Sequence, residues 1–578
     1  MNKIFEIKIN DKKYKVRDGD TVLEVAKKNK LHIPTLCYHP DLLPNGNCRL
    51  CLVEAILKDN LSLVSACSTK VVPDLKIKLD TPKVKRIRRI NLEMLLSDHI
   101  KKCDSCNWHD NCELKKLAKD FGIKESRFSE RRRKFKIDCK TPSMLWDSSK
   151  CIECGNCLSS CKEISGMDNI ETQYRGSSII FGPKGGRSFA ETNCVFCGQC
   201  ILRCPSGSLQ EKSEVNQVKK FLARKMGQIA VAQLAPSTRY SIGELFGLSP
   251  GENLEKKLVA SLRKIGFDYV LDVNVGVDIV AIEEAEEFIE RFESKKRLPI
   301  FTACCPAWVR YVEIFHHELI SQLTTTKSPV HCLASATKSY FSKKIKINPK
   351  KIKIVSIVPC VANKFESTLP ELRFGKRPEI DFVLTVRETA RLLKSKNINL
   401  AEEDEVEFDS PFGQATGAGV ISGASGGVME SVLRTVVAKL SGGEITKLQF
   451  NEVRGLGGVK EAIVDIDDQN IEVAVVSGLA NASRLLKDMK SGVKRYNYVE
   501  VMACPGGCLG GGGQPIPTTG EIREKRRATY YSDDEIKPLR RVHENQDLMK
   551  MYEALDAKPL SDRAKRLFHR GFIKRKVK

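Results

Sequence analysis

The distribution of cysteine limits what this chain can fold into more than any other feature. Its 578 residues include 22 cysteines, and most of these lie in close groups. The first residues alternate apolar and polar side chains and show no apolar leader with a cleavage site, so we expect a reducing, cytoplasmic location. Closely spaced thiols in such a compartment hold metal more often than they form disulfides. The cysteine groups therefore predict a metal-rich protein.

The most regular group is a repeated C-x2-C-x2-C-x3-C pattern, from Cys151 to Cys161 and from Cys194 to Cys204. This is bacterial ferredoxin spacing, in which the fourth cysteine of each run ligates the cluster of the other run. We therefore expect two [4Fe–4S] clusters. Their ligands would be Cys151, Cys154, Cys157 and Cys204 for one, and Cys161, Cys194, Cys197 and Cys200 for the other. Two structural zinc sites are the alternative.

A looser group of four thiols lies upstream. It comprises Cys37, Cys48, Cys51 and Cys67. The spacing is wider than that of the plant-type ferredoxin run, and it suits a [2Fe–2S] cluster held by a loop and a returning strand. Zinc remains the alternative for this site as well.

The residues around this group predict a small sheet with one helix. Expected strands are 4–9, 13–17, 50–57 and 75–79, and an expected helix at 21–29 has Thr21 as its N-cap and Glu24 in a capping box. This order resembles a β-grasp ferredoxin module.

A third group combines one histidine with three cysteines, His99, Cys103, Cys106 and Cys112. His99 and Cys103 are one helical turn apart and can face the same way. We expect a third [4Fe–4S] cluster here, with His109 as the rival histidine ligand.

Beyond residue 225 the pattern changes to apolar strands that alternate with longer helices, which indicates an α/β catalytic domain of two parallel-sheet lobes with flanking helices. The expected strands are 229–232, 269–273, 352–358, 381–385 and 473–476. The predicted domains are 1–80 (β-grasp, [2Fe–2S]), 81–120 (one [4Fe–4S]), 141–215 (α+β ferredoxin-like, two [4Fe–4S]), 226–518 (catalytic) and 519–578 (C-terminal segment).

The net charge of +24 is large. Lys and Arg are spread along the chain without a nucleic-acid module, so we expect no nucleic-acid partner. Bound anionic clusters would cancel part of this charge, and the remainder could attract an acidic partner. No apolar run is long enough to predict a membrane span.

The α/β region contains three further cysteine segments: 301–308 with Cys304 and Cys305, 358–366 with Cys360, and 502–508 with Cys504 and Cys508. These segments look like the three signature motifs of [FeFe]-hydrogenases, and the upstream order of cluster sites is similar to that of the larger monomeric members. The C-terminal segment resembles the small subunit of the family fused to the same chain.

The resemblance implies an H-cluster in which Cys305, Cys360, Cys504 and Cys508 hold a [4Fe–4S] unit. Cys508 would bridge this unit to a diiron unit that carries CO, CN− and a dithiolate. The resemblance further implies cofactor contacts from Ser237, Asn363, Lys364 and Met502. Val358, Asn363 and Val330 depart from the residues usual in the family, which predicts an altered environment around the cofactor.

A free Cys304 beside the diiron unit would be the proton donor, because a thiol with a reference pKa of about 8.5 can exchange protons near neutral pH. By the same resemblance Glu284, Glu287 and Thr324 would carry protons onward. Glu284 and Glu287 share a helix face, whereas we expect Glu283 and Glu286 on a solvated face.

The resemblance thus implies a ferredoxin hydrogenase that reversibly oxidises H2 and reduces protons. Its partners would be an acidic ferredoxin or flavodoxin and the maturation enzymes of the diiron unit. The alternatives are an H2 sensor, although this chain keeps Cys304, or the catalytic subunit of a multimeric NAD(P)-linked hydrogenase, although no dinucleotide fingerprint is present. An electron-transfer subunit of a complex-I-like dehydrogenase would lack the three motifs.

Overall fold

The protein is described by a computed structural model, which covers residues 3–97, 99, 106, 108, 112–128, 136–441, 449–466 and 469–576. None of the helices within these ranges is both long and apolar enough to cross a membrane.

The N-terminal region forms a five-stranded sheet in the order β2-β1-β5-β3-β4. Its elements are β1 (Ile4–Ile9), β2 (Lys12–Arg17), α1 (Val22–Lys28), β3 (Leu52–Leu57), β4 (Asn60–Ser65) and β5 (Lys76–Lys78). The capping box between Thr21 and Glu24 is confirmed: Thr21 accepts from the Glu24 N–H and Glu24 accepts from the Thr21 N–H. Strand β4 was not predicted from the sequence, and most of its residues are exposed or half-buried.

The middle of the chain contains short elements around the cysteine groups. They are α2 (Pro82–Leu96), α3 (Glu113–Asp120), β6 (Ile137–Asp138), β7 (Met144–Asp147), α4 (Asn156–Ser159), β8 (Ile170–Gln173), β9 (Ile180–Pro183), α5 (Gln199–Leu202), β10 (Leu209–Glu211) and α6 (Val215–Ala223). Helices α4 and α5 begin after Gly155 and Gly198, which adopt positive φ of 80° and 73°. This left-handed conformation favours glycine and turns each cysteine loop into its helix.

A first catalytic sheet has four parallel strands in the order β12-β11-β14-β17. Its strands are β11 (Ile229–Leu234), β12 (Tyr269–Asp272), β14 (Ile352–Val358) and β17 (Phe382–Thr385), and its helices include α7 (Pro236–Arg239), α8 (Glu255–Lys264), α9 (Asn274–Glu293), α13 (Ala362–Glu366) and α14 (Val386–Lys394). Strand β11 is buried almost throughout, as expected for a parallel strand covered on both faces. The predicted strands in this region are confirmed.

A second sheet has the order β13-β20-β19-β18, in which only β18 is antiparallel. Its strands are β13 (Ile300–Phe301), β18 (Val459–Ile466), β19 (Gln469–Ser477) and β20 (Tyr498–Met502). The remaining catalytic elements are α10 (Pro306–Phe315), α11 (Pro329–Ala336), α12 (Ser342–Lys344), β15 (Arg373–Phe374), β16 (Arg377–Pro378), α15 (Gly417–Ile421), α16 (Gly427–Leu440) and α17 (Leu479–Lys490).

The C-terminal segment consists of α18 (Gly520–Ile536), α19 (Gln546–Ala554) and α20 (Asp562–Phe568). It packs into the catalytic region rather than standing apart, because Tyr530, Tyr552 and Phe568 are all fully buried.

Candidate active site and cluster sites

Five cysteines meet at the carboxyl ends of strands from both catalytic sheets. Cys304 and Cys305 follow β13, Cys360 follows β14, and Cys504 and Cys508 follow β20. All five line one cavity of about 770 Å³. The carboxyl ends of parallel strands are where an α/β fold usually places its ligand.

The backbone of the loop after β20 lies tightly against its neighbours around this cavity. A Cβ on Gly511 would lie 2.5 Å from the carbonyl oxygen of Pro359, and a Cβ on Gly507 would lie 2.8 Å from the Ser425 nitrogen. Four strand-end thiols around a mostly apolar cavity fit a thiolate-held iron–sulfur unit that extends into this space.

Cys304 lies beside a buried carboxyl and hydroxyl. Thr324 donates its hydroxyl to Glu284 Oε1 at 2.7 Å and accepts from the Ala303 N–H at 3.0 Å. The backbone N–H of Thr324 also donates to the Phe301 carbonyl at 2.8 Å, which fixes this loop against β13. The arrangement therefore brings together three of the four predicted relay residues.

Burial shifts the pKa of Cys304 and that of Glu284. It raises the pKa of the Cys304 thiol well above its usual range, with Glu284 and Glu500 adding to the effect. A raised pKa favours the neutral, protonated form of the thiol. Burial also raises the pKa of Glu284 to about 7, although hydrogen bonds from Thr324 and Tyr498 oppose the rise.

Glu287, the fourth relay residue, lies further out on α9. It accepts from the Thr325 N–H at 2.9 Å and forms an ion pair with Arg291, and Thr325 Oγ1 lies 2.7 Å from His569 Nδ1. Glu283 corrects the sequence prediction, because it is fully buried instead of solvated. Its carboxylate accepts from Tyr552 at 2.6 Å and lies 2.9 Å from His569 Nε2.

Sequence reasoning missed two acid–base neighbours of Cys304 on β20. Tyr498 donates its hydroxyl to Glu284 Oε2 at 2.9 Å. Glu500 accepts from the Gly426 N–H at 2.6 Å and the Met429 N–H at 2.8 Å, at the start of α16. Tyr498 and Glu500 lie some 200 residues after Glu284 in the sequence. Their positions in an apolar strand gave no indication that they would lie near Cys304 and Glu284.

Three of the four predicted cofactor contacts line the cavity, namely Ser237, Asn363 and Met502, as do the atypical Val358 and Val330. Asn363 donates to Glu366 Oε2 at 2.8 Å. Lys364 is a correction: its ammonium points away from the cavity to the Val383 carbonyl and forms a buried ion pair with Glu388 at 3.1 Å. The first turn of α13 places neighbouring side chains on different faces, so Lys364 does not join Asn363 at the cavity.

The ferredoxin-like cysteines fall into the two crossed groups that their spacing predicted. Cys151, Cys154, Cys157 and Cys204 all line a cavity of about 310 Å³. Burial raises the pKa of Cys194 above its usual range, with Cys197 and Cys161 adding to the effect, which places Cys161 with the second run. Among the described residues no three ligand side chains converge closely enough for a single metal ion.

The N-terminal thiols also come together. A hydrogen bond with Cys48 raises the pKa of Cys37, and a hydrogen bond with Cys51 raises that of Cys67. In the third group His99 and Cys112 are buried, and Cys106 is half-buried. Cys103 and the rival His109 lie outside the described residues.

Five family models match successive parts of the chain. They describe a 2Fe-2S iron-sulfur cluster binding domain (residues 2–82), an NADH-ubiquinone oxidoreductase-G iron-sulfur binding region (88–127), a 4Fe-4S dicluster domain (150–208), the C-terminal domain of the iron only hydrogenase large subunit (228–512) and the iron hydrogenase small subunit (520–575).

Two relatives match almost end to end. The NADP-reducing hydrogenase subunit HndD of Solidesulfovibrio fructosivorans is 37% identical over 98% of this chain and 99% of its own length. Iron hydrogenase 1 of Clostridium pasteurianum is 36% identical over 97% of this chain and 98% of its own length. The solved structure of the [FeFe]-hydrogenase HydA(deltaEFG), which describes stepwise assembly of the H-cluster, is similar to this chain with a TM-score of 0.57 and 35% sequence identity. The match covers 63% of this chain and 99% of that chain.

These matches and the five-cysteine cavity define a multicluster iron–sulfur oxidoreductase. The chain belongs to the [FeFe]-hydrogenase family, with iron–sulfur domains before its catalytic domain.

Proposed function

We propose that this chain interconverts H2 with protons and electrons at an H-cluster held by Cys305, Cys360, Cys504 and Cys508. The observation that carries this proposal is the single cavity lined by these four thiols and by Cys304. The bound H-cluster would supply Lewis-acid and redox chemistry toward H2. The protein supplies the thiolate ligands, an apolar enclosure and a path for protons.

The proton path begins at Cys304. The neutral thiol holds a proton at the cavity wall, and Glu284, with a pKa of about 7, can take or return it near neutral pH. Thr324 orients the Glu284 carboxylate through its hydroxyl. Glu287 receives the proton on the outer side, where its neighbours Thr325 and Arg291 hold its carboxylate.

The electron path is a series of cluster sites that lie next to each other. Asn47, adjacent to Cys48, donates to the Cys154 carbonyl at 3.3 Å. Burial is the main cause that raises the pKa of Cys200. Several neighbouring thiols add to this rise, and one of them is Cys157 of the other group. Cys504 approaches the Cys197 carbonyl at 3.9 Å. These contacts support a route from the N-terminal site through both ferredoxin-like sites to the H-cluster.

The full cofactor set in this proposal is one [2Fe–2S] cluster, three [4Fe–4S] clusters and the H-cluster. The [2Fe–2S] cluster belongs to a β-grasp fold at 1–80 and is ligated by Cys37, Cys48, Cys51 and Cys67. The third [4Fe–4S] cluster lies at 81–120 and is ligated by His99, Cys103, Cys106 and Cys112. The ferredoxin-like domain (141–215), the two-lobed catalytic domain (226–518) and the C-terminal segment (519–578) complete the organisation. Iron and acid-labile sulfide counts on the purified protein test this set against zinc.

The electron carrier in this proposal is an acidic ferredoxin or flavodoxin. The net charge of +24 supports it, since opposite charges accelerate association. Raising the salt concentration should slow carrier-dependent turnover, because screening shortens the range of charge attraction to about 10 Å at 0.1 M. A rate that does not change with salt would contradict an acidic carrier.

A second candidate is the catalytic subunit of an NADP-linked assembly, favoured by the end-to-end match to an NADP-reducing hydrogenase subunit. The isolated chain should then oxidise H2 with viologen and remain inactive with NADP. Activity with NADP that returns only on adding a flavoprotein subunit would support this candidate over direct coupling to ferredoxin.

Expression with and without the maturation enzymes of the diiron unit tests the main proposal. The matured protein should evolve H2 with reduced viologen and show CO and CN− infrared bands, and the protein made without these enzymes should do neither. Absence of the bands after maturation would refute the proposal.

A further inference from the structure

A second, open cavity lies at the outer end of the proposed proton path. It has a volume of about 1290 Å³ and is lined by Glu287 and Thr325 on the inner side. The rest of its wall comes from the end of α9, the loop after α9 and helix α20 with the residues that follow it. Nothing in the proposed chemistry at the H-cluster uses this cavity.

The wall of this cavity is strongly cationic. Two acidic residues, Glu287 and Glu290, face six basic ones. The basic residues are Arg291, Lys296, Arg297, Lys565, Arg566 and Arg570. In the part of the chain that the structure describes, Lys296, Arg297, Lys565 and Arg566 have no ion-pair partner. Unneutralised cations from two separate chain segments therefore converge on one space.

One buried donor at this cavity is also unused. Arg291 is only 8% exposed in its side chain, and its Nη2 pairs with Glu287 and donates to the Leu323 carbonyl at 3.2 Å. Its Nη1 has no hydrogen-bond partner among the described residues. An unpaired guanidinium donor is costly, so a side-chain adjustment that brings Nη1 to an acceptor bound in the cavity would be favourable.

We infer that this cavity binds a phosphate-type oxyanion and holds it beside Glu287. Arginine and lysine side chains are the usual partners of phosphate oxygens, and a planar guanidinium can donate two parallel hydrogen bonds to them. Free phosphate and the phosphate group of a nucleotide share this chemistry. The cavity is open enough to admit either.

The position of the cavity gives the bound anion a consequence for proton exchange, and this consequence rests on the proton path proposed above. A cationic entrance repels hydronium but attracts an anionic proton carrier. A phosphate monoester has its second ionisation at about pH 6, and inorganic phosphate has its own closer to neutral pH. It can transfer one O–H proton to the Glu287 carboxylate and leave as the more negative phosphate, with no change in oxidation state.

Calorimetric titration of the matured enzyme with inorganic phosphate, at constant ionic strength, tests binding directly. The variant Lys565→Gln/Arg566→Gln should bind phosphate at least about tenfold more weakly, because two charge-assisted contacts are lost. Lys296→Gln/Arg297→Gln should weaken binding in the same way from the opposite wall. Lys487→Gln/Lys490→Gln on α17 removes the same number of charges elsewhere and should leave binding unchanged.

A parallel titration with adenosine monophosphate distinguishes the two sources. Tighter binding than inorganic phosphate, lost in both cavity variants, identifies a nucleotide phosphate. Equal or weaker binding identifies free phosphate. No binding to the wild-type enzyme at tens of millimolar, or equal binding by wild type and both cavity variants, would overturn the inference.

H2 evolution in phosphate and in sulfate at equal ionic strength tests the consequence separately. Phosphate should raise the rate of the wild type and of the α17 control but not of the cavity variants, since sulfate carries no proton near neutral pH. Binding without any rate increase would leave the anion site intact and refute Glu287 as the outer end of the proton path.

Discussion

Thr324 connects the Cys304 loop to Glu284 through one hydroxyl group, which accepts from the Ala303 N–H and donates to the Glu284 carboxylate. A β-branched side chain is stiff at χ1, so Thr324 holds this hydroxyl in a fixed direction. The methyl group plays no part in either hydrogen bond. Substitutions that keep only the hydroxyl group or only the shape of the side chain can therefore separate hydrogen bonding from packing.

Thr324→Ser should retain at least about half of the H2 evolution rate, whereas the isosteric Thr324→Val should lose about 10²-fold, within the range for losing a positioned proton-transfer group. Rates with reduced viologen at saturating concentration provide the measurement. Equal losses in Ser and Val would show that packing, and not the hydroxyl, matters at this position.

Tyr498 controls the protonation of Glu284 in a direction that can be stated in advance. Its hydroxyl stabilises the ionised carboxylate and so opposes the rise in pKa caused by burial. In Tyr498→Phe the pKa of Glu284 should therefore rise above about 7, and the limb of the pH–rate profile that reports this group should move to higher pH. A profile that stays in place, or moves to lower pH, would contradict the assignment of Glu284.

At the scale of secondary-structure elements, the active site depends on how strand ends converge. The loops that follow β13, β14 and β20 carry the cysteines within a few residues of each strand end, so sheet register largely fixes where the thiols lie. The loop after β20 carries Cys508 and then passes close to the loop after β14. Gly511 occupies this closest approach with φ −61°, so space rather than conformation requires glycine.

Gly511→Ala should displace the Cys508 loop, because its Cβ would meet the Pro359 carbonyl oxygen at 2.5 Å. Overpacking of this kind costs typically about 1–3 kcal/mol. We expect lower iron content and loss of the CO and CN− infrared bands in this variant. Gly457→Ala, whose Cβ makes an ordinary contact at 3.4 Å, is the matched control. Full iron content and intact bands in Gly511→Ala would contradict the proposed crowding.

At the scale of the whole molecule, one carboxylate joins three distant parts of the chain. Asp41, in the N-terminal region near Cys37, accepts from Arg203 at 2.8 Å and from Arg523 at 2.7 Å. Arg203 follows α5 in the ferredoxin-like region, and Arg523 lies on α18. The ion pairs are almost buried, since the Asp41 side chain is 14% exposed.

Asp41→Asn should loosen the N-terminal region, since removing one partner of a buried ion pair costs on the order of 3 kcal/mol. Carrier-dependent turnover should fall, while H2/D2O exchange, which needs only the catalytic region, should persist. Glu6→Gln, in an exposed pair with Lys13, controls for the loss of a charge. If Asp41→Asn lost H2/D2O exchange as well, the role of Asp41 would not be limited to holding the N-terminal region through its ion pairs.

The sequence predicted the local features of this molecule well and the distant contacts poorly. Cysteine groups, the capping box at Thr21 and the buried parallel strands depend on spacing within a few residues, which can be read directly. The side on which Lys364 lies, the burial of Glu283, and the contacts of Tyr498 and Asp41 depend on tertiary packing. No periodicity of a single element encodes such pairings.

The central claim is that Cys304 passes protons between the H-cluster cavity and Glu284 without holding the cofactor. The most direct test compares the infrared spectrum and the H2 evolution rate of matured Cys304→Ala. The CO and CN− bands should remain, and the rate should fall by about 10²-fold or more, because a positioned proton donor is lost. A rate that stays near that of the wild type would contradict the claim, and so would a variant that has lost the bands.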